Sequence, residues 1–145
     1  MNVFRTLKQI LSDCALLDDF NNGVHVDYTE SSTGTCGLFP TGTKKTGEDI
    51  LGNLRYRLSC TLYASMTTYE DYERLNNSDF LLSLSYYLDT LKDIDITEEI
   101  NGVSRSGKIT KVSASGGMLY VVNNEDINDG GQYQLQINVD YMINE

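Results

Sequence analysis

The chain has no tryptophan, one proline, one histidine and three cysteines, and each scarcity removes a class of function. His25 stands alone, and Cys14, Cys36 and Cys60 lie far apart with no C-x-x-C spacing. No Cys/His zinc set can be drawn from them, and an odd number of thiols suits a reducing compartment. Positive charge is short as well: 11 Lys and Arg face 21 Asp and Glu, for a net charge of -10. That balance argues against nonspecific binding to a nucleic-acid backbone and against an anionic membrane surface. Long apolar runs are missing. The apolar residues that follow Arg5 and Lys8 are broken by Ser12 and Asp13, so neither a signal peptide nor a membrane span is expected.

What is present is alternation. Tyr133, Leu135, Ile137, Val139, Tyr141 and Ile143 fall on one side of an extended chain, and Gln132, Gln134, Gln136, Asn138 and Asp140 fall on the other. Period two is the signature of a strand, here with one apolar and one amide-rich face. Residues 50–65 repeat the pattern, with Leu54, Tyr56, Leu58, Cys60, Leu62 and Ala64 opposed to Arg55, Arg57, Ser59, Thr61 and Tyr63. A 40% apolar fraction over 145 residues is enough for one α+β domain with its own core, and no internal linker or repeat divides it.

Val3, Phe4, Leu7, Ile10, Leu11, Cys14 and Leu17 recur at helical spacing, which predicts a first helix over residues 2–17. Residues 24–30 alternate as a short strand. Leu38-Phe39-Pro40 suits an edge strand or strand end, because proline donates no ladder hydrogen bond. Residues 41–47 read as a Gly/Thr/Lys loop or hairpin tip. Thr67 and Thr68 can cap a helix over residues 69–91, with Asn76-Asn77-Ser78 as a candidate kink and Phe80, Leu81, Leu84, Leu88 and Leu91 as its apolar stripe. Residues 93–97 are a candidate short strand. Residues 108–114 and 118–122 read as two strands joined at Ser115-Gly116-Gly117, and residues 125–131 as an acidic turn. Strands followed by strands imply a mainly antiparallel sheet with two helices packed on one face. The helix ending near Leu91 is expected to cover the strands over residues 50–65 and 132–143 through Leu81, Leu84 and Leu88.

Candidate chemistry fails on inspection. Gly102-Val103-Ser104-Arg105-Ser106-Gly107-Lys108 approaches the phosphate-binding loop, but Ile109 stands where Ser or Thr must reach magnesium, and strands rather than a helix follow. The bland alternative is a flexible hairpin loop. Asn124, Asp126, Asn128 and Asp129 miss the calcium-loop register, leaving a solvated acidic turn. Asp93 and Asp95 have no fixed partner. His25 has no nucleophile in a recognisable motif. The sequence therefore offers no catalytic, metal or cofactor site. Arg55 and Arg57 have two readings: pairing with acids of a neighbouring subunit, or cross-strand pairing worth roughly 0.2–1 kcal/mol within the sheet.

Three stretches carry a family resemblance: Gly37-Leu38-Phe39-Pro40-Thr41-Gly42, Glu48-Asp49-Ile50-Leu51-Gly52-Asn53, and Tyr72-Glu73-Arg74-Leu75-Asn76-Asn77-Ser78-Asp79-Phe80-Leu81-Leu82. They resemble small proteins encoded in the head-to-tail joining region of phages and prophages of Gram-positive bacteria, the minor capsid or tail-completion proteins that look like tail terminators. The resemblance covers residues 24–91, and the strands beyond it match nothing placed. It implies a sheet flanked by helices, assembled as a homo-hexameric ring on the last ring of a tail tube. Its partners would be its own copies, the tube protein and a neck or connector protein, with the sheath as a further candidate. No nucleic-acid readout, membrane or cofactor is implied. The location implied is the neck end of a virion or phage-tail-like particle, and the host cytoplasm during assembly. In this reading residues 38–47 and 103–107 are contact loops, and the candidate interface residues are Leu38, Phe39, Pro40, Lys44, Lys45, Arg55 and Arg57. A competing reading from another class is a small acidic binding module that inhibits a host protein by mimicking phosphate charge.

Overall fold

A computed structural model of the protein describes residues 1–14, 24–26, 35–66, 71–122 and 131–144. The elements run α1 (Val3–Asp13), β1 (Val24–Val26), β2 (Thr35–Glu48), β3 (Leu54–Met66), α2 (Asp71–Asp89), β4 (Ile94–Ile100), β5 (Val103–Val122) and β6 (Gly131–Ile143). They form an α+β fold. One sheet has the order β1-β2-β3-β6-β5-β4. Every neighbouring pair is antiparallel except β1 with β2, which is parallel.

The two alternating segments of the sequence become the two central strands. β3 and β6 pair without a register break from Leu54↔Ile143 to Met66↔Gly131. Their in-register apolar residues share one face, and both helices bury that face. Leu58, Cys60, Leu62, Leu135, Ile137 and Val139 join Leu7 and Leu11 of α1 and Leu81, Leu84 and Leu88 of α2 in a single buried cluster. Each such large aliphatic side chain contributes about 1.5–3 kcal/mol on burial. Leu81, Leu84 and Leu88 do enter the core as expected, but the strand that α2 chiefly lies against is β5, not the β3–β6 pair that the sequence reading placed under it.

α1 is fastened at its start. Asn2 caps it by accepting the Arg5 N–H at 2.8 Å. Glu98 of β4 accepts the Val3 N–H at 2.7 Å, and the Met1 carbonyl accepts the Thr97 N–H at 2.9 Å. Two of the helix's orphan donors are thereby satisfied.

Several boundaries differ from the sequence reading. The first helix is shorter, ending at Asp13 with Cys14 as its cap, and residues 15–17 lie outside the described residues. The segment at residues 41–47 is strand, not loop: β2 continues through Pro40 by means of a bulge and stays paired with β3 to Glu48. The turn falls at residues 49–53 instead, so Ile50 belongs to the turn and not to the following strand. α2 runs through Asn76-Asn77-Ser78 without interruption, and the candidate caps Thr67 and Thr68 lie outside the described residues. The candidate short strand at residues 93–97 is β4, which extends to Ile100.

The two expected strands around Ser115-Gly116-Gly117 are one strand, β5. The extra residue is absorbed as a register shift between Ser115 and Met118. A glycine pair inside a strand can mark a bulge as readily as a turn, and here it does. Residues 103–107 are likewise strand, paired with β4. The turn before them is the dipeptide Asn101-Gly102, with φ of 53° and 80°. Positive φ at both central residues is the tight-hairpin geometry that Asn-Gly favours. Gly107 is required for another reason: a Cβ there would collide with the backbone carbonyl of Met142 on β6.

Candidate functional site

Helices close one face of the sheet. On β3 and β6, the strand positions that alternate with the buried ones carry polar groups, and cross-strand register sets these in rows. One row runs Lys44, Arg57, Asp140, Lys111. The next runs Gly42, Ser59, Asn138, Ser113, and the third runs Phe39, Thr61, Gln136, Ser115. At the opposite flank of the charged row lie Gly47, Arg55, Met142, Lys108 and Asp95.

The middle rows are cross-linked by hydrogen bonds. The Ser59 hydroxyl donates to Asn138 Oδ1 at 2.9 Å, and the Thr61 hydroxyl donates to Gln136 Oε1 at 3.1 Å. Both amide NH2 groups are left free of protein partners among the described residues. In the charged row the Arg57 guanidinium forks onto Asp140, Nε to Oδ1 at 2.8 Å and Nη2 to Oδ2 at 3.2 Å. That hydrogen-bonded carboxylate raises the Arg57 pKa further. The Thr110 hydroxyl donates to the Asp140 carbonyl at 3.1 Å from a bulge in β5. Of the chain's 11 cations, five (Lys44, Arg55, Arg57, Lys108 and Lys111) fall in the two charged rows, against Asp95 and Asp140. One end of the open face is thus basic in a chain that is acidic as a whole.

The second feature is the β2–β3 turn. Asp49 organises it: its carboxylate accepts the N–H groups of Leu51 and Asn53, both at 2.9 Å, and the Asn53 side-chain amide at 3.0 Å. The backbone closes the same loop, with Asp49 N–H donating to the Asn53 carbonyl at 2.9 Å and Gly52 N–H to the Asp49 carbonyl at 3.0 Å. The Asn53 N–H is the chief reason the Asp49 pKa is lowered, with the Asn53 amide, the Leu51 N–H and the nearby Arg55 charge adding to it. This ordered turn holds two large aliphatic side chains in water: Ile50 is 100% exposed and Leu51 74%.

The candidate interface residues divide. Leu38 is fully buried in the core and presents nothing to a partner, which corrects its place among the interface candidates. Its position opposite Leu62 puts it on the helix-covered face. Phe39 is half-buried, edge-on to Tyr63 with ring centroids 5.2 Å apart. Pro40, Lys44 and Lys45 are exposed. β1 pairs only with Cys36, Gly37 and Leu38, so β2 beyond them is an open edge among the described residues. Proline, lysine and bulges are the devices that keep such an edge from pairing indiscriminately. Arg57 takes the cross-strand reading through Asp140, whereas Arg55 is exposed beside the Asp49 turn. The structure brings Lys44, Arg55 and Arg57 to one end of one face. Lys45, opposite Tyr56, points to the other face and lies 3.9 Å from Glu48.

Cys36 and Cys60 are buried, and burial pushes their thiols up to about 11 and about 12. Such thiols stay protonated and behave as small hydrophobes. Among the described residues no three His, Cys, Asp or Glu side chains converge as metal ligands, and no helix is long and apolar enough to cross a membrane. The side chain of His25 and the acidic segment at residues 124–129 lie outside the described residues.

The Asp49 turn and the exposed Ile50-Leu51 pair were not anticipated from the sequence. Their signal was there: Asp49 is followed at three and four residues by Gly52 and Asn53, both turn formers.

No family model matches the chain, and no curated protein matches it. A solved structure with no functional name aligns over 98% of this chain and 94% of its own, at 12% identity and a TM-score of 0.46. A likeness at that level carries no argument about function.

Proposed function

We propose that the protein is a structural component of a phage or phage-tail-like particle, a tail-terminator or head-to-tail joining protein that forms a homo-hexameric ring. In this role it caps the tail tube and connects it to the neck. It works by presenting surfaces at fixed geometry and performs no catalysis. The reading starts from the three sequence stretches that resemble such proteins, two of which meet at the β2–β3 hairpin.

The observation that carries it is the asymmetry of the sheet. One face is closed by helices, and the other is a polar, internally cross-linked surface ending in an ordered turn with exposed aliphatic groups. Surfaces that combine apolar anchors with cross-linked polar side chains suit protein partners, because little conformational entropy is lost when they dock. Heterologous contacts among identical subunits close into a ring when the rotation per subunit divides the circle. Each durable contact would bury on the order of 1,000 Å² or more.

Electron microscopy of particles made without this protein tests the proposal, with overlong or unjoined tails as the expected result. Localisation is the sharper arm. Six copies in one ring at the neck-proximal end of the tail are expected. Absence of the protein from purified particles, or its recovery bound to a host enzyme, would overturn the reading.

A further inference from the structure

A second surface on the same chain matches the Ile50-Leu51 turn. β4 pairs with β5 only as far as Ile109, so from Thr110 onward the outer side of β5 is an open edge among the described residues. A shallow groove of about 490 Å³ lies between that edge and α2. Leu81 and Ala114 form its apolar floor, and Leu82 and Tyr86 stand on its rim, 51% and 63% exposed. The exposed Leu82 and Tyr86 are large apolar groups with no core to face.

Charge separates the two surfaces in the complementary sense. The hairpin arm carries Lys44, Lys45, Arg55 and Arg57 behind its aliphatic tip against Glu48 and Asp49. Lys45 and Arg57 are already paired with Glu48 and Asp140, so the small positive excess of the arm rests on Lys44 and Arg55. The groove is lined by Asp89, with Asp79 exposed further along the same helix. The two surfaces cannot meet within one chain. In the sheet order β2 and β5 lie on opposite sides of the β3–β6 pair. The turn sits at the level of Ile143 on β6, and the groove at the level of Ile137. Six residues of strand separate those levels, roughly 20 Å.

We infer that the Ile50-Leu51 turn of one copy docks into the α2–β5 groove of a second copy, with Arg55 beside Asp89 at the rim. The contact is heterologous: each copy offers a tip on one side and a groove on the other, so copies add head to tail. The Asp49 hydrogen bonds hold the tip in its docking shape before contact, which lowers the ordering cost. The ring of the proposed function would be closed by this contact. The inference rests on that reading for its biological setting but not for its chemistry.

Thiol pairing between full-length variants at millimolar protein tests it. The native cysteines, all buried and in no disulfide, do not compete. Leu51→Cys mixed with Leu82→Cys is expected to give a disulfide-linked heterodimer on mild oxidation, with each variant alone giving little. Both substitutions are at exposed positions, so the fold is retained. Adding Ile50→Ser to the Leu51→Cys variant should lower the yield about tenfold, and 0.5 M salt should lower it further. Preferred pairing of position 51 with itself, or a mixed yield no higher than that of the separate variants, would overturn the inference. A neck ring seen in particles without the 51–82 link would sink this contact and leave the proposed function standing. The link formed by a protein absent from particles would do the reverse.

Discussion

The two faces of the sheet are built from the same strands and obey different rules. On the covered face, side chains contribute by leaving water, and identity within the apolar class matters less than volume. Leu84, Leu135, Ile137 and Val139 are fully buried there. On the open face, neighbouring positions of the same strands carry Arg57, Ser59, Thr61, Gln136, Asn138 and Asp140, and they hold one another by hydrogen bonds at 2.8–3.2 Å. Exposed pairs of that kind add little net stability, since water offers the same bonds. The comparison teaches that the covered face keeps the protein folded, and the open face is free to be specified by a partner.

The harshest test of this division is Leu84→Asp. An unpaired carboxylate in the helix–sheet core costs several kcal/mol, comparable to the whole stability of a small domain. The variant is expected to be unfolded by circular dichroism and insoluble on expression. A soluble, fully folded Leu84→Asp protein would refute the packing of α2 on the sheet.

Gly107→Ala comes next. It adds one methyl at the β5–β6 ladder, where the obstacle is the Met142 carbonyl and not a side chain that can turn away. Overpacking against backbone is expected to cost about 3 kcal/mol, the upper part of the usual range. Urea denaturation would read it. A loss below about 0.5 kcal/mol would mean that β5 and β6 are further apart than described.

The open face should respond weakly. A double-mutant cycle on Arg57→Ala and Asp140→Ala is expected to give a coupling of roughly 0.2–1 kcal/mol that shrinks with added salt. The pair is forked but its side chains are 47% and 27% exposed, so solvent screens it. A coupling above about 2 kcal/mol would mean that this end of the face is more enclosed than the sheet alone makes it.

The smallest effect is local. Asp49 is held below the ordinary aspartate range, so its contribution is present above the unfolded pKa and is lost as pH falls through the lower folded one. Protection of the Leu51 and Asn53 amides against exchange, taken relative to the intrinsic rate at each pH, should hold at pH 5 and be lost only once Asp49 is protonated, below the usual aspartate value of about 3.9. Asp49→Ala should remove that pH dependence and leave the exchange of core amides unchanged. Acceleration of both sets of amides together would show that the turn is part of the core rather than an ordered appendage.

Legibility in the sequence followed the strength of periodicity. β3 and β6 were readable because six consecutive alternations leave one face apolar, and a slip of one residue would expose all of it. The stripe of α2 was readable for the same reason. Punctuation was read less well. Residues 41–47 look like loop by composition, yet they pair with β3 because bulges at Thr41 and Thr46 absorb the mismatch. The Gly116-Gly117 pair looks like a turn and is a bulge. The true turns at residues 49–53 and 101–102 carry their chemistry in Asp49 and in Asn101-Gly102, signals that competing motif resemblances obscured.

The sequence by itself determined the α+β class, the two central strands, the apolar stripe of α2 and the scarcity of reactive groups. These depend on local periodicity and residue type, which a single chain displays directly. Only the tertiary structure decided that Leu38 is core, that Lys44, Arg55, Arg57, Lys108 and Lys111 gather at one end of one face, and that Ile50 and Leu51 stand in water opposite a groove on the far side of the sheet. Those facts depend on strand order and register, which bring together residues as far apart as 44 and 111. Such long-range pairing is fixed by how the whole chain closes its core, and no local stretch encodes it.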